Sequence, residues 1–152
     1  MTAQREEVAE TVERLIDEVS EWSHVTVGEH RFGGTEFRVG PREIGHVHAW
    51  GMLDIAYLRA LRDALVEEGH TGVHHLLTES GWTTFYVESA EDFEHARWLL
   101  RLSYLYHVAA LEKTPAGAEE FADVDVASEL DGMELSEPIR AAFERRDPGR
   151  QR

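Results

Sequence analysis

Two histidines separated by one residue are the side chains of this sequence best suited to chemistry. His46 and His48 lie in the run Arg42–His48, which reads REIGHVH. Residues two apart on a β-strand point to the same face, so both imidazoles are expected on one side of a sheet. A neutral imidazole has an ordinary pKa of about 6.5 and can accept a proton near neutral pH. The pair therefore predicts a general acid–base site.

A second group of histidines lies further along the chain. His74 and His75 precede Gly81 and Trp82, and an antiparallel sheet could bring one of them beside the first pair. Three neutral imidazoles could also bind zinc or non-haem iron. This metal is the less favoured interpretation, because the sequence has no HExxH motif and no fixed carboxylate partner for the histidines. If a metal binds, its predicted ligands are His46, His48 and His74.

Charged and aromatic side chains extend the predicted site. The planar guanidinium of Arg42 suits an anionic oxygen, and Glu43 could orient an imidazole if the chain bends at Gly45. The polar turn over residues 30–34 could face the same cleft. Aromatic side chains could line a pocket for a flat ligand, although many such residues belong to a core. The residues predicted to contact a ligand are Trp50, His75, Trp82, Tyr86 and Tyr106.

Periodic apolar residues predict the elements that position these side chains. Helical spacing predicts helices over 3–22, 57–68 and 89–111. Short apolar runs between glycines predict strands over 25–27, 35–39, 44–55, 73–78 and 82–88, the third of them bent or bulged around Gly51. The predicted fold is α+β, with a mainly antiparallel sheet of about five strands, an N-terminal helix and two further helices packed against it.

The length and the C-terminal composition predict one domain with an extension. A chain of 152 residues fits one hydrophobic core. After Lys113 the composition shifts to Ala, Asp and Glu, and the apolar residues are too widely spaced to form a core of their own. We therefore expect an α+β domain over 1–113 and an acidic C-terminal appendage over 114–152. Ser136 and Pro138 could begin a short helix there that docks back on the domain.

The charge of the chain restricts its partners. Fifteen basic and thirty acidic residues give a net charge of −15, which disfavours nucleic acid and anionic membranes. No apolar run approaches the roughly 20 residues that span a bilayer. The absence of cysteine excludes disulfides and thiolate chemistry. We expect a cytoplasmic protein with a small-molecule ligand, and the sequence does not define its oligomeric state.

Lysine is almost absent from this acidic chain, since Lys113 is the only one. Molar salt shortens the Debye length to about 3 Å and screens repulsion between acidic groups. The composition is therefore typical of a halophilic protein. An ordinary acidic protein is the alternative.

The run REIGHVH, the segment Gly69–Leu76 and the pair Trp82 and Thr83 resemble the luciferase-domain family, which includes the fungal luciferases. The resemblance extends over about 22–111. It implies an oxidoreductase that oxidises a hydroxypyranone or a related enol with molecular oxygen as co-substrate and without an organic cofactor. Ala49 stands where the family has an acidic residue, and His75 where the fungal enzymes tend to have proline.

Residue by residue, the resemblance implies catalytic roles for Arg42, Glu43, His46, His48 and His74. A histidine would remove a proton from the substrate and Arg42 would steady the oxyanion, so that the enolate could react with oxygen. Two alternatives stay open at this point. One is a non-catalytic domain that binds or senses a small molecule, and the other is a three-histidine metalloprotein.

A fainter resemblance connects the chain to the MmcQ/YjbR-like domains, which are small α+β proteins. It rests on His74, His75, Gly81, Trp82 and the segment 99–104. This resemblance implies an antiparallel sheet with helices packed on one side. The DNA-binding role suggested for those domains conflicts with the net charge of −15.

We predict that the stability of this protein rises with salt, because screening weakens the repulsion between its thirty acidic residues. Thermal melts in dilute buffer and in molar potassium chloride measure the effect. A midpoint that stays level or falls on adding salt would contradict halophilic adaptation.

Overall fold

An antiparallel sheet of six strands carries the histidines. The computed structural model describes residues 2–30 and 33–145. Its strands are β1 (Val25–Glu29), β2 (Thr35–Val39), β3 (Arg42–Val47), β4 (Met52–Ala56), β5 (Gly72–Val73) and β6 (Trp82–Tyr86). They lie in the order β1-β2-β3-β4-β6-β5, and every neighbouring pair is antiparallel.

Six helices are described, and the first three of them pack against the sheet as predicted. The helices are α1 (Ala3–Ser20), α2 (Arg59–Glu67), α3 (Phe93–Leu111), α4 (Pro115–Glu120), α5 (Val126–Met133) and α6 (Glu137–Glu144). A single 3-10 turn, Ala90–Asp92, precedes α3. Helices α1 and α3 contact each other and the strands β1 to β4, while α2 contacts β5 and β6. The predicted α+β class is confirmed.

The two faces of the sheet differ in polarity. Alternate residues of β2 to β4, among them Phe37, Leu53 and Ile55, are fully buried with α1 and α3 in one hydrophobic core. On the opposite face, strand pairing places four polar residues in a row across the sheet, Glu36, His46, Asp54 and Thr84. We call this opposite side the histidine face.

One predicted strand is wrong, because the segment 44–55 forms two strands joined by a tight turn. The backbone N–H of Gly51 donates to the carbonyl of His48 and closes the turn. Gly51 has a φ of +113°, and a side chain there would collide with the Val87 carbonyl. This glycine therefore reverses the chain where a bulge was expected, which raises the strand number to six.

The strand predicted over 73–78 is also wrong, since β5 ends at Val73. The imidazole Nδ1 of His74 accepts hydrogen bonds from the backbone N–H groups of Leu76 and Leu77, at 3.0 and 2.9 Å. A side chain thus supplies the acceptor that a strand ladder would have supplied, and the chain turns into a loop. This loop leads to β6 and closes over part of the histidine face.

The acidic appendage predicted after Lys113 is not confirmed. The described part of that segment forms α4, α5 and α6, and the short helix expected from Ser136 is α6. Helix α5 packs on α3, and α6 packs on α2. Apolar side chains of this segment belong to the common core, among them Phe121, Val124, Leu130, Ile139 and Phe143. Residues 146–152 of the predicted appendage lie outside the described residues.

A membrane-spanning helix is not found among the described residues, because none of their helices combines the required length and apolar character.

We predict that Phe143→Ala destabilises the fold by about 3–5 kcal/mol, because it removes a fully buried ring. Leu76→Ala is the control, since Leu76 is 76% exposed and its truncation should cost no more than about 0.5 kcal/mol. Denaturant unfolding at constant salt measures both. Equal stabilities for the two variants would show that the C-terminal helices do not share the core.

Candidate functional site

His46 is held between two carboxylates at the centre of the histidine face. Its Nδ1 lies 2.6 Å from Oε2 of Glu43, and its Nε2 lies 3.1 Å from Oδ2 of Asp54. Only 8% of His46 and 1% of Asp54 are exposed. The hydroxyl of Thr84 donates to the other oxygen of Asp54 at 2.7 Å. Both ring nitrogens of His46 can therefore donate to an anionic oxygen.

A β-bulge in β3 brings Glu43 to this face. Opposite β2, Gly45 pairs with Phe37 and Glu43 pairs with Arg38, so Ile44 is an extra residue in the ladder. In a regular strand, residues three apart point to opposite faces. The extra residue reverses the alternation, and Glu43 joins His46. The sequence predicts this contact through a bend at Gly45, whereas the irregularity lies one residue earlier, at Ile44.

The electrostatics of this group favour a charged His46. Burial alone would lower the pKa of His46, but hydrogen bonds to Asp54 and Glu43 and their negative charges raise it to about 9. Burial alone would raise the pKa of Asp54, but hydrogen bonds from His46 and Thr84 hold it below its usual value. At neutral pH, His46 is an imidazolium and cannot serve as a base.

His48 lies beside this imidazolium and differs from it in charge. The two rings meet edge to face, with centroids 5.9 Å apart, as the alternation of β3 predicts. Burial and then the charge of His46 lower the pKa of His48. Its ring packs against the β1–β2 turn at Gly34, which has a φ of +86° and where a Cβ would lie 3.2 Å from Nδ1. His48 is therefore neutral at pH 7 and makes no ring hydrogen bond to any described residue.

His74 and His75 complete the cluster from the loop before β6. Nε2 of His74 lies 3.4 Å from Oδ2 of Asp54, and Nδ1 of His75 lies 3.8 Å from Oδ1 of the same carboxylate. Burial lowers the pKa of His74, although Asp54 opposes this effect. Because Nδ1 of His74 accepts two backbone N–H groups, the proton of the neutral ring is on Nε2 and faces Asp54.

Three of the predicted aromatic residues border the cluster. The ring of Trp82 lies 5.5 Å from that of His46 and 6.1 Å from that of His74. Trp50 lies 6.0 Å from His48, and Tyr86 lies 6.2 Å from Trp50. Trp50 is 60% exposed and Tyr86 46% exposed. These rings offer an apolar surface to a flat ligand beside the histidines.

Two predicted site residues lie away from the histidine face. Arg42 points to the helix side, where its Nε donates to Nδ1 of His107 at 2.8 Å. The bulge is the reason, because it exchanges the faces of Arg42 and Glu43. Tyr106 is buried in α3, with its ring edge-on to Phe143. Since α3 covers the other face of the sheet, neither residue meets a ligand on the histidine face.

Two residues of the cluster are not among the predicted catalytic or ligand-contacting residues. Asp54 is one, and its signal was a single carboxylate inside the apolar run MLDIA. A charged residue at such a position is buried only when it is paired. The other is His30, whose ring stacks on that of His46 at 3.7 Å. The expectation that the turn over 30–34 faces the cleft is met at His30, whereas Arg31 and Phe32 lie outside the described residues.

Metal-ligand atoms gather in two sets among the described residues, and neither is the predicted set of His46, His48 and His74. One contains His30, Glu43 and His46, and the other Asp54, His74 and His75; within each set the atoms lie within 4.8 Å of one another. The hydrogen bonds place protons on both nitrogens of His46 and on Nε2 of His74, which are the nitrogens that would bind the metal. A metal ion would have to displace those protons.

One known family matches the part of the chain that contains β3 to β6 and the loop before β6. Residues 41–103 match the family model of the luciferase domain. The luciferase-domain match confirms the predicted resemblance over that segment, which is less than half of the chain. It contains Glu43, His46, His48, Asp54, His74 and His75. Comparisons with curated proteins and with solved structures gave no significant match.

We predict that His46 makes the stability of this protein depend on pH. Its pKa is raised from 6.5 to about 9 in the folded protein, so its contribution is complete below pH 6.5 and is lost as the pH rises through 9. The loss amounts to at most about 3 kcal/mol. Urea unfolding of the wild type and of His46→Gln from pH 6 to 10 measures the difference.

The two stability curves should converge as the pH rises. Parallel curves between pH 6.5 and 10 would mean that His46 is not charged in the folded protein.

Proposed function

We propose that the histidine face is the active site of a cofactor-independent oxygenase that acts on a small enol or hydroxypyranone-like molecule. The observation that carries this proposal is the neutral imidazole of His48, which makes no ring hydrogen bond to a described residue and lies beside the charged His46 on a face bordered by aromatic rings. The luciferase-domain match supports the oxygenase class. His48 replaces an unspecified histidine as the proposed base.

The assignment of the base follows from the hydrogen bonds. Both nitrogens of His46 face carboxylates, and both nitrogens of His74 have partners. His48 keeps a lone pair for the substrate. The charge of His46 helps to keep His48 neutral, because it opposes a second imidazolium nearby.

The proposed reaction needs only the substrate, oxygen and this base. His48 removes the proton from the enol hydroxyl, and the enolate carbon then forms a C–O bond with molecular oxygen. Two electrons pass from the substrate to oxygen, which is reduced to the peroxide level. The peroxide regains the proton from His48 and forms a hydroperoxide, so the proton balance closes.

We predict that oxygen consumption with a hydroxypyranone depends on His48. His48→Gln should lower the rate by about 100-fold or more, the usual range for removing a general base. His70→Gln is the matched control, because His70 contacts His95 and Trp98 outside the histidine face. An oxygen electrode measures the rate, and equal losses in both variants would contradict the assignment.

The pH profile of the same reaction is a second prediction. The rate should fall as the pH drops below 6.5, because protonation of His48 removes the base and the pKa of His48 lies below its usual value. Two other results would favour the alternatives. Binding without oxygen uptake would indicate a non-catalytic domain, and a rate abolished by chelators and restored by zinc or iron would indicate a metalloprotein.

A further inference from the structure

Helix α3 contacts the histidine-bearing strands from the side opposite the histidine face. Oγ of Ser103, which is fully buried, lies 2.9 Å from the carbonyl oxygen of Ile44 and 2.7 Å from that of Ala56. Ile44 is the extra residue of the bulge in β3, and Ala56 is the last residue of β4. One side chain of α3 thus joins the two strands that carry Glu43, His46 and Asp54.

His107, one helical turn after Ser103, makes a second connection. Its Nε2 lies 3.2 Å from the Ala56 carbonyl, and its Nδ1 accepts the hydrogen bond from Nε of Arg42. Because the arginine can only donate, the single proton of a neutral His107 must be on Nε2 and must point to Ala56. Burial and the charge of Arg42 lower the pKa of His107 to about 3 and keep it neutral.

We infer that Ser103 and His107, here called the α3 clamp, are positioning residues that hold the bulge at Ile44 and thereby keep Glu43 in contact with His46. A bulge residue has no partner in the strand ladder, so its carbonyl needs a donor from elsewhere. Ser103 supplies that donor, because its single hydroxyl proton can go to the Ile44 carbonyl while the Ala56 carbonyl accepts from Nε2 of His107. Arg42 is the residue before Glu43, and its bond to His107 fixes which of the two faces the helices.

The clamp acts on the site through backbone geometry alone. Without it, β3 could return to regular alternation, which would turn Glu43 away from His46 and bring Arg42 toward the histidine face. His46 would then keep only Asp54 as an anionic partner. This role of the clamp does not rest on the proposed reaction, because it is measured as the pKa of His46 and needs no substrate.

The test compares loss and rescue variants at His107. His107→Leu puts an apolar side chain in the same buried place and removes both hydrogen bonds, whereas His107→Gln offers an amide N–H to Ala56 and a carbonyl to Arg42. Ser103→Ala is an independent loss variant. Val108→Ala is the control for damage to the core. Val108 is fully buried on the same helix, and a valine side chain cannot hydrogen-bond to the sheet.

NMR titration of the His46 ring in the full chain is the readout. The pKa of His46 should fall by at least about one unit in His107→Leu and Ser103→Ala, and it should stay near its wild-type value in His107→Gln and Val108→Ala. An unchanged titration in the loss variants would overturn the inference. So would a fold that fails in both loss variants while Val108→Ala folds, because the clamp would then serve the fold and not the site.

Discussion

The position of one imidazole between two carboxylates is the constraint on which the rest of the site depends. Glu43 and Asp54 hold His46 from its two nitrogens and keep it charged. That charge in turn disfavours protonation of His48, and Asp54 also orients His74. Removing either carboxylate would therefore shift the pKa of more than one histidine. Glu43 reaches His46 only because the bulge at Ile44 reverses the alternation of β3, so a backbone irregularity determines the charges of the site.

The sequence predicts much of this arrangement, and its failures have physical causes. Periodicity predicts the α+β class, the bounds of β2 and the common face of His46 and His48, because these depend on local pattern. The same alternation places Arg42 on that face, and this is wrong because a bulge leaves no signature in a sequence of side chains. Asp54 was missed since its partners lie on other strands and in a loop. Phe121 and Phe143 join the core through helix packing that spacing alone does not reveal.

The three functional hypotheses make different demands on the side chains of the histidine face. A base requires the neutral nitrogen that His48 offers. A metal requires nitrogens of His46 and His74 that carry protons and face carboxylates. A metal ion would therefore have to displace those protons, and its binding would weaken as the pH falls. A binding domain requires only the aromatic border of Trp50, Trp82 and Tyr86. Arg42 cannot act as the oxyanion donor that the sequence predicts, because its guanidinium contacts His107 on the other side of the sheet.

The charge states of the imidazoles are the central claim, and nitrogen-15 chemical shifts of the histidine rings at pH 7.5 test it most directly. We expect both nitrogens of His46 to be protonated, His48 to be neutral, and His74 to be neutral with its proton on Nε2. A neutral His46 at this pH would contradict the account, since the carboxylates would then not hold an imidazolium and the assignment of His48 as the base would lose its basis.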